Sequence, residues 1–240
     1  MSIPILIVGA SVRATAQSAR RAGFAPLAID LFADVDLQEI AQTRRSERYP
    51  DDLPILASEL PDAPFLYTGA LENSPEILKE LQSVRPLWGN GEEQLRLVRD
   101  PLWVQEVLSQ AGFPSVPTRR TPPVRSETQC WLRKPLASAA GLGIDFDSTA
   151  SRTTDVYWQR FIPGVPISTL YIADDRNCQM IGTARQWVGW PEFPVGPFQF
   201  CGAIVPARIS VAIRRDLELI GTRFAELAGL RGLFGIDLIQ

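Results

Sequence analysis

The chain has 240 residues, 45% hydrophobic and 21% charged, which is typical of a folded protein with one large domain or two to three small ones. Its formal net charge is −3 and its basic residues occur at most in pairs, so we expect no nucleic-acid partner. The sequence lacks histidine, which excludes Ser-His-Asp triads, imidazole bases and histidine-ligated zinc.

The first ninety or so residues alternate short apolar runs with helical segments. Strands are predicted at residues 3–8, 25–29, 65–67 and 87–90, and helices at 14–22 and from Pro75 onward. This β-α-β order predicts an open, largely parallel sheet. The N-terminus has neither a basic region nor a long apolar core, so we expect no signal peptide and no membrane span. Three scattered cysteines are typical of a reducing compartment, and we expect a cytoplasmic protein.

The remainder of the chain combines helices with short strands and frequent prolines. Helices are predicted at 102–110 and 211–227, and strands at 130–134, 143–146, 156–161, 167–173, 178–188 and 233–239. Turn residues between the strands indicate antiparallel pairing, so this part is expected to be of the α+β class.

A lysine followed by small residues is the first candidate site. Lys134 ends an apolar run, and a loop of small residues with Ser138, Gly141 and Gly143 follows it. Small side chains let backbone N–H groups approach phosphate oxygens, and a lysine adds a compact positive charge. The loop lacks the Gly-Lys-Ser/Thr ending of a Walker A motif. The alternative is an ordinary hairpin with a flexible tip.

Two further motifs follow in the chain. The run 156–164 ends in Pro-Gly, and the backbone of such a strand can pair with an adenine edge; the alternative is a core strand and a turn. Asp237 lies within an otherwise apolar strand, where burial is costly unless the carboxylate is paired or metal-bound. Mg²⁺ held with nucleotide phosphates would explain it, and a salt bridge to an arginine is the alternative.

Taken in this order, the motifs resemble the ATP-grasp superfamily, and most closely its predicted ATP-dependent carboligase branch, which is related to biotin carboxylase. Residues 8–11, 28–34, 182–186 and 201–206 also resemble family stretches. The resemblance implies a Rossmann-like N-terminal domain over residues 1–97. It also implies an ATP-grasp fold of two α+β subdomains, a small one at 98–160 with the phosphate loop and a large one at 161–240.

The resemblance also implies a chemistry. Members are ATP-dependent carboxylate–amine or carboxylate–thiol ligases that form an acyl phosphate, and this branch is similar to ligases of pterin- or methanofuran-type cofactor pathways. ATP and Mg²⁺ are the implied cofactors, and a small-molecule carboxylate and a nucleophile the implied substrates. The sequence leaves homo-oligomer formation open.

The implied roles of individual residues follow the motifs. Lys134 would hold the phosphates, and Ser138, Gly141 and Gly143 would cover them. The backbone of Gln159, Arg160, Phe161 and Ile162 would read adenine. Asp237 would bind Mg²⁺, and Arg185 would contact the carboxylate or acyl phosphate as the catalytic residue.

Two departures from the family pattern shape these expectations. Asp100 is followed by Pro101, where many relatives carry a lysine. The sequence ends at Gln240, before the strand that carries a Glu-x-Asn-Pro-Arg-type motif in relatives. We therefore expect a C-terminally truncated large subdomain, weak or absent ligase activity, and retained nucleotide binding.

Two other functions compete with the ligase. One is a non-catalytic nucleotide-binding protein that keeps the fold without the chemistry. The other is a dinucleotide-binding oxidoreductase, prompted by the turn at Gly9, although no Gly-x-Gly-x-x-Gly pattern follows the first strand.

Overall fold

The computed structural model describes residues 2–124, 130–146 and 155–240. The chain divides into two compact units, Met1–Leu95 and Arg96–Gln240. Across the described ranges, every helix is too short or too polar to cross a membrane.

The first unit is built on a four-stranded parallel sheet. Its strands are β1 (Pro4–Gly9), β2 (Ala25–Asp30), β3 (Gln42–Arg45) and β4 (Phe65–Thr68), in the order β3-β2-β1-β4. The helices are α1 (Arg13–Arg21), α2 (Val35–Gln38), α3 (Leu53–Ser58), α4 (Pro75–Val84) and the beginning of α5 (Glu92–Val98), with a 3₁₀ turn at Leu71–Asn73. The predicted open parallel α/β domain is confirmed.

Side-chain alternation along the strands explains why helices cover both faces of this sheet. Leu6 and Val8 of β1 pack in one cluster with residues of α3 and α4. Ile7 lies between them in sequence and packs in a second cluster with residues of α1 and α2. Because successive strand residues point to opposite faces, an uninterrupted apolar strand needs cover on both sides.

Two details of the first unit differ from the sequence analysis. The strand expected at 87–90 is wrong: Leu87 alone pairs, through a single parallel bridge with Phe65. Strand β3 was not predicted, because Gln-Thr-Arg-Arg has no apolar signal. It lies at the edge of the sheet, where polar residues are tolerated.

The second unit contains two antiparallel sheets. α6 (Pro101–Gln110) precedes a three-stranded sheet of β5 (Thr118–Arg119), β6 (Trp131–Pro135) and β7 (Val156–Arg160), in the order β5-β7-β6. A four-stranded sheet follows, ordered β10-β9-β8-β11, with β8 (Pro166–Ala173), β9 (Cys178–Val188), β10 (Phe200–Ile204) and β11 (Gly232–Ile239). The strand expected at 143–146 is wrong, because only Asp145 pairs, with Arg133.

Helix α7 (Val211–Ala228) covers one face of the four-stranded sheet. The fully buried ring of Tyr171 in β8 lies against α7 at Gly221, where a Cβ would overlap the ring. The Tyr171 hydroxyl donates to the Leu217 carbonyl at 2.9 Å. Every second residue of β8, from Ile167 to Ala173, is buried beneath α7. Ser168 and Leu170 lie between these residues and point to the opposite face of the sheet, which is the more exposed one.

Candidate functional site

Lys134 lies on the three-stranded sheet with its ammonium group held by a neighbour. Its Nζ donates to Gln159 Oε1 at 2.8 Å. The two residues point to the same face, because Lys134 pairs with Tyr157 and Gln159 with Leu132 across the β6–β7 ladder. Burial lowers the pKa of Lys134, and the negative charge of Asp237 opposes that shift.

Asp237 lies on β11 of the four-stranded sheet. Its cross-strand partner is Ser168, so it points to the face that α7 leaves open. Gln186 Nε2 donates to Asp237 Oδ1 at 3.1 Å. Desolvation raises the pKa of Asp237, while the Gln186 hydrogen bond and the charge of Lys134 lower it. Asp237 is on the exposed face of an alternating strand, although the surrounding protein still removes part of its hydration.

The structure therefore brings the predicted cation and the predicted acid into electrostatic range. Lys134 stands on one sheet of the second unit and Asp237 on the other, and each charge shifts the pKa of the other group. Opposite charges that face each other across two sheets form the polar part of a site that can hold a charged ligand and a cation.

The small-residue loop at 138–143 contacts the first residue of β10 and the segment just before it. The Ala140 carbonyl accepts a hydrogen bond from the Phe200 N–H at 3.1 Å, and the Ser138 hydroxyl donates to the Leu142 carbonyl at 2.6 Å. Gly141 has φ of +76°, and a Cβ there would overlap the Phe198 carbonyl oxygen. Only glycine suits this position, because any other residue would need both the positive φ and the space of the Phe198 carbonyl.

The end of β7 and the residues after it, here called the hinge (residues 159–162), use some of the backbone groups expected to read adenine. The Arg160 N–H donates to the Pro117 carbonyl at 2.9 Å, and the Phe161 N–H donates to the Cys130 carbonyl at 2.8 Å. In an antiparallel pair the partner would normally return a hydrogen bond, but Pro117 has no N–H to give to the Arg160 carbonyl. The sequence analysis missed Pro117, although a proline beside an edge strand is a visible signal.

The Arg185 side chain points away from the face of the sheet that carries Asp237. It pairs with Ile167, which is buried on the face of the sheet that α7 covers. Its neighbour Gln186 points the other way and hydrogen-bonds Asp237. The catalytic role expected for Arg185 stays a prediction. Strand alternation places Gln186 against Asp237, and the sequence could have shown this only if the pairing register were known.

Two arginines that the sequence analysis did not select lie beside the Lys134 strand pair. Burial raises the pKa of Tyr157, and the charges of Arg99 and Arg120 lower it. Tyr157 is the cross-strand partner of Lys134. Arg120 also forms an ion pair with Asp100 at 3.2 Å. These guanidinium groups add positive charge near Lys134, in a chain where a proline, Pro101, directly follows Asp100.

The end of β2 in the first unit argues against dinucleotide binding. In dinucleotide-binding folds an acidic side chain after the second strand binds the ribose. Here the Asp30 carboxylate is 1% exposed and accepts the backbone N–H groups of Val12, Phe32 and Ala33 at 2.7–2.8 Å. Asp30 therefore braces two loops and has no free oxygen edge to offer a ribose.

A separate cleft of about 280 Å³ lies at the other end of the four-stranded sheet. It is lined by the turn after β8 and the C-terminal end of α7, including Asp175 and Arg231, which pair at 2.6 Å. None of the residues singled out from the sequence lines this cleft, so it is not part of the Lys134–Asp237 site.

The residues near Asp237 fit a metal that arrives with its nucleotide. Among the described ranges no three Asp, Glu or Cys side chains cluster in a way that could hold a metal ion alone. Mg²⁺ is commonly bound by one or two carboxylates together with substrate phosphates and water. Asp237 can supply such a carboxylate, since Gln186 engages Oδ1 and leaves Oδ2 for the metal ion.

Comparison with known proteins locates the family signal in the second unit. Residues 98–240 match the ATP-grasp domain family. No significant match was found among curated protein sequences.

Solved structures share the fold at low sequence identity. N5-carboxyaminoimidazole ribonucleotide synthetase from Thermotoga maritima superposes with a TM-score of 0.69 at 15% identity, over 99% of this chain and 64% of that chain. The biotin carboxylase domain of Hydrogenobacter thermophilus 2-oxoglutarate carboxylase, complexed with MgADP and bicarbonate, gives 0.76 at 15% identity, over 98% and 60%.

A third structure, an ATP-grasp superfamily protein from Archaeoglobus fulgidus, gives a TM-score of 0.70 at 17% identity, over 99% of this chain and 77% of that one. The chain spans less than two thirds of the length of the synthetase and of the carboxylase domain.

Proposed function

This chain belongs to the ATP-grasp family, and from that premise we propose that it is the nucleotide-binding part of an ATP-dependent carboxylate ligase. The observation that carries the proposal is the placement of two oriented charges on the two sheets of the second unit: Lys134 Nζ is held by Gln159 at 2.8 Å, and Asp237 is held by Gln186 at 3.1 Å, with each within range of the other's charge. A nucleotide triphosphate needs positive charge along its oxygens and a carboxylate for its Mg²⁺, and these two residues offer both.

The hinge supports binding of the base. Arg160 N–H points toward β5 and Phe161 N–H toward β6, which is the alternation of an extended strand. If that alternation continues past the end of β7, the next group on the β5 side is the N–H of Ile162. We assign the Arg160 carbonyl to the amino group of adenine and the Ile162 N–H to ring nitrogen N1, a donor–acceptor pair that matches this base edge.

The proposed reaction is an acyl activation followed by a substitution. A substrate carboxylate oxygen attacks the γ-phosphorus, the bond to the β,γ-bridging oxygen breaks, and ADP leaves. An amine or thiol then attacks the acyl carbon of the acyl phosphate and expels inorganic phosphate. Mg²⁺ neutralises phosphate charge when bound with the nucleotide. By family resemblance, the carboxylate would belong to a pterin- or methanofuran-type cofactor precursor.

The protein would act mainly by positioning and charge. Lys134 would contact the phosphate oxygens, and the loop at 138–143 would cover them with its backbone N–H groups. We assign to Arg99 and Arg120 the positive charge that a lysine after Asp100 supplies in relatives, because both lie near the Lys134 strand pair. Such a site needs no imidazole, which agrees with a sequence without histidine.

Calorimetric titration with Mg-ADP and with adenosine tests the nucleotide site. Lys134→Met should weaken Mg-ADP binding by about tenfold or more, since losing one charged hydrogen bond costs about 1.5–3 kcal/mol. Adenosine binding should stay unchanged, because adenosine has no phosphate. The control Lys79→Met removes the only other lysine, which is exposed and paired with Glu92, and should bind both ligands like the parent.

The titration has clear failing outcomes. If the parent chain binds neither Mg-ADP nor adenosine, the proposed function is wrong. If Lys79→Met weakens Mg-ADP binding as much as Lys134→Met does, the phosphates are not bound at Lys134.

A non-catalytic nucleotide-binding protein is the second candidate, favoured by the isolated position of the Asp237 carboxylate within the described residues. Hydroxylamine separates the two, because it converts an acyl phosphate into a stable hydroxamate. The ligase predicts hydroxamate and ADP when Mg-ATP is mixed with pterin- or methanofuran-type precursor carboxylates. The second candidate predicts Mg-ATP binding without either product.

A further inference from the structure

A chain of three hydrogen bonds runs from the Lys134 ammonium group into the backbone. Lys134 Nζ donates to Gln159 Oε1 at 2.8 Å, and Gln159 Nε2 donates to Thr118 Oγ1 at 3.3 Å. The Thr118 hydroxyl in turn donates to the Val116 carbonyl at 2.8 Å. Because the hydroxyl proton is used on Val116, the Thr118 oxygen is left to accept from Gln159.

This series of three hydrogen bonds can run in only one direction. A flipped Gln159 amide would place its NH₂ group against the Lys134 ammonium, so that two donors would face each other. The far end is also fixed, since the Thr118 N–H donates to Gln105 Oε1 of α6 at 2.6 Å and Thr118 pairs with Gln159 in the β5–β7 ladder. The position of the Gln159 amide is therefore determined by β5 and α6 as well as by its own strand.

We propose that the Gln159 side chain is a positioning residue, which holds the Lys134 ammonium group in place for the phosphates of the nucleotide. This rests on the proposed function, but it gives Gln159 a role different from the backbone contact that the sequence suggested. An ammonium group has three protons. One is used on Gln159, and two remain for phosphate oxygens.

A neutral tether suits this task better than a charged one. A carboxylate at position 159 would pair with Lys134 and compete with the phosphates for its charge. An amide orders the long lysine side chain without neutralising it, which lowers the conformational entropy that binding must remove. The carboxylate whose charge acts on Lys134 is that of Asp237, on the other sheet.

Three variants test separately the Gln159 amide, the Thr118 hydroxyl and the neutral charge of the amide. Gln159→Leu removes the tether, Thr118→Val removes its anchor, and Gln159→Glu keeps the shape but adds a charge. We expect about five- to tenfold weaker Mg-ADP binding for Gln159→Leu, a smaller loss for Thr118→Val, and a loss for Gln159→Glu at least as large as for Gln159→Leu. Adenosine affinity should not change. Gln179→Leu, an exposed position on β9, is the matched control and should bind both ligands normally.

Because the sequence has few lysines, NMR can observe the hydrogen bond between Lys134 and Gln159 directly. Lys79 and Lys134 are the only lysines, so ¹⁵N labelling of lysine side chains gives two signals. Ammonium protons exchange rapidly with water unless a hydrogen bond retains them. We expect a retained Lys134 proton signal in the parent and in Gln179→Leu, and its loss in Gln159→Leu and Thr118→Val, all without nucleotide.

The two measurements have separate failing outcomes. If the parent binds no Mg-ADP, the proposed function fails and this role for Gln159 fails with it. If Lys134→Met weakens Mg-ADP binding while Gln159→Leu and Thr118→Val do not, the role of Gln159 alone is overturned. An absent Lys134 signal in the parent also overturns it, since the tether would then not exist in solution.

Discussion

Lys134 and Asp237 are both held in surroundings that oppose their charges. Burial lowers the pKa of the lysine and raises that of the aspartate, and their mutual attraction offsets only part of each shift. A structural ion pair normally raises the pKa of its lysine and lowers the pKa of its aspartate. Groups kept charged against desolvation are typical of sites that stabilise a ligand rather than the fold.

Asp237→Asn should therefore not destabilise the protein at neutral pH. Because its folded-state pKa is raised, the folded chain keeps the Asp237 proton to a higher pH than the unfolded chain does. Ionisation of Asp237 thus lowers stability as the pH rises through the range between the unfolded and folded pKa values. Thermal unfolding should show the Asp237→Asn variant at least as stable as the parent near pH 7, with this advantage disappearing in acid.

The control for that substitution is Asp216→Asn, on an exposed position of α7, which should leave the melting temperature near pH 7 unchanged. A lower melting temperature for Asp237→Asn than for the parent at pH 7 would contradict the prediction. In the same variant, Mg-ADP binding should weaken while adenosine binding persists, because Asp237 is assigned to the metal and not to the base.

At the residue scale, the sequence could single out a candidate only where one side chain differed clearly from its neighbours. Lys134 is one of two lysines, and Asp237 is a lone charge in an apolar run, so both could be singled out. Arg185 and Gln186 could not be ranked in this way. They are adjacent in sequence, and the pairing register of β9 alone decides which one faces Asp237.

At the scale of elements, a buried arginine fixes the end of α3. Arg85 is 5% exposed and its guanidinium donates to the carbonyls of Ala57, Leu60 and Pro61 at 2.6–2.8 Å. These carbonyls belong to the last turn of α3 and the residues after it, where the regular hydrogen-bond ladder of the helix ends. The positive charge also suits the C-terminal end of a helix.

Arg85→Met should lower the free energy of unfolding by about 2–4 kcal/mol, because several buried carbonyls would lose their donors together. Urea unfolding followed by circular dichroism measures this effect. Arg21→Met, at an exposed position of α1, is the matched control and should change stability by less than about 0.5 kcal/mol. Equal stability of the two variants would show that Arg85 does not hold α3.

The sequence predicted the long elements better than the short ones. The predicted limits of β9 and α7 lie within a residue of the observed ones, because eleven- and eighteen-residue elements have a clear pattern and α7 ends at a glycine with φ of +64°. α2, α3 and β5 are too short to show a period. Tertiary contacts, such as those of Arg85, determine them.

At the scale of the whole molecule, the chain consists of two compact units, and every residue assigned to the nucleotide lies in the second. Hydrogen exchange with Mg-ADP should show this division. Ligand binding raises the free energy of opening for the elements that hold the ligand. We expect slower exchange in β6, β7 and β11, and unchanged exchange in β1 to β4.

A protection pattern that was strongest in β1 to β4 would contradict the assignment and would favour a ligand site in the parallel sheet. Adenosine is the useful comparison, since it should slow exchange at β7 without affecting β11. The first unit therefore acts as an internal reference in the same experiment.

Pro117 has a consequence for the choice of base. The missing N–H leaves an acceptor at Arg160, and the N–H of Ile162 adds a donor two residues later. Guanine presents a keto oxygen and a protonated ring nitrogen at the same edge, so acceptor would meet acceptor and donor would meet donor. One absent hydrogen atom beside a two-residue strand would thus exclude guanosine nucleotides, without any side chain that reads the base.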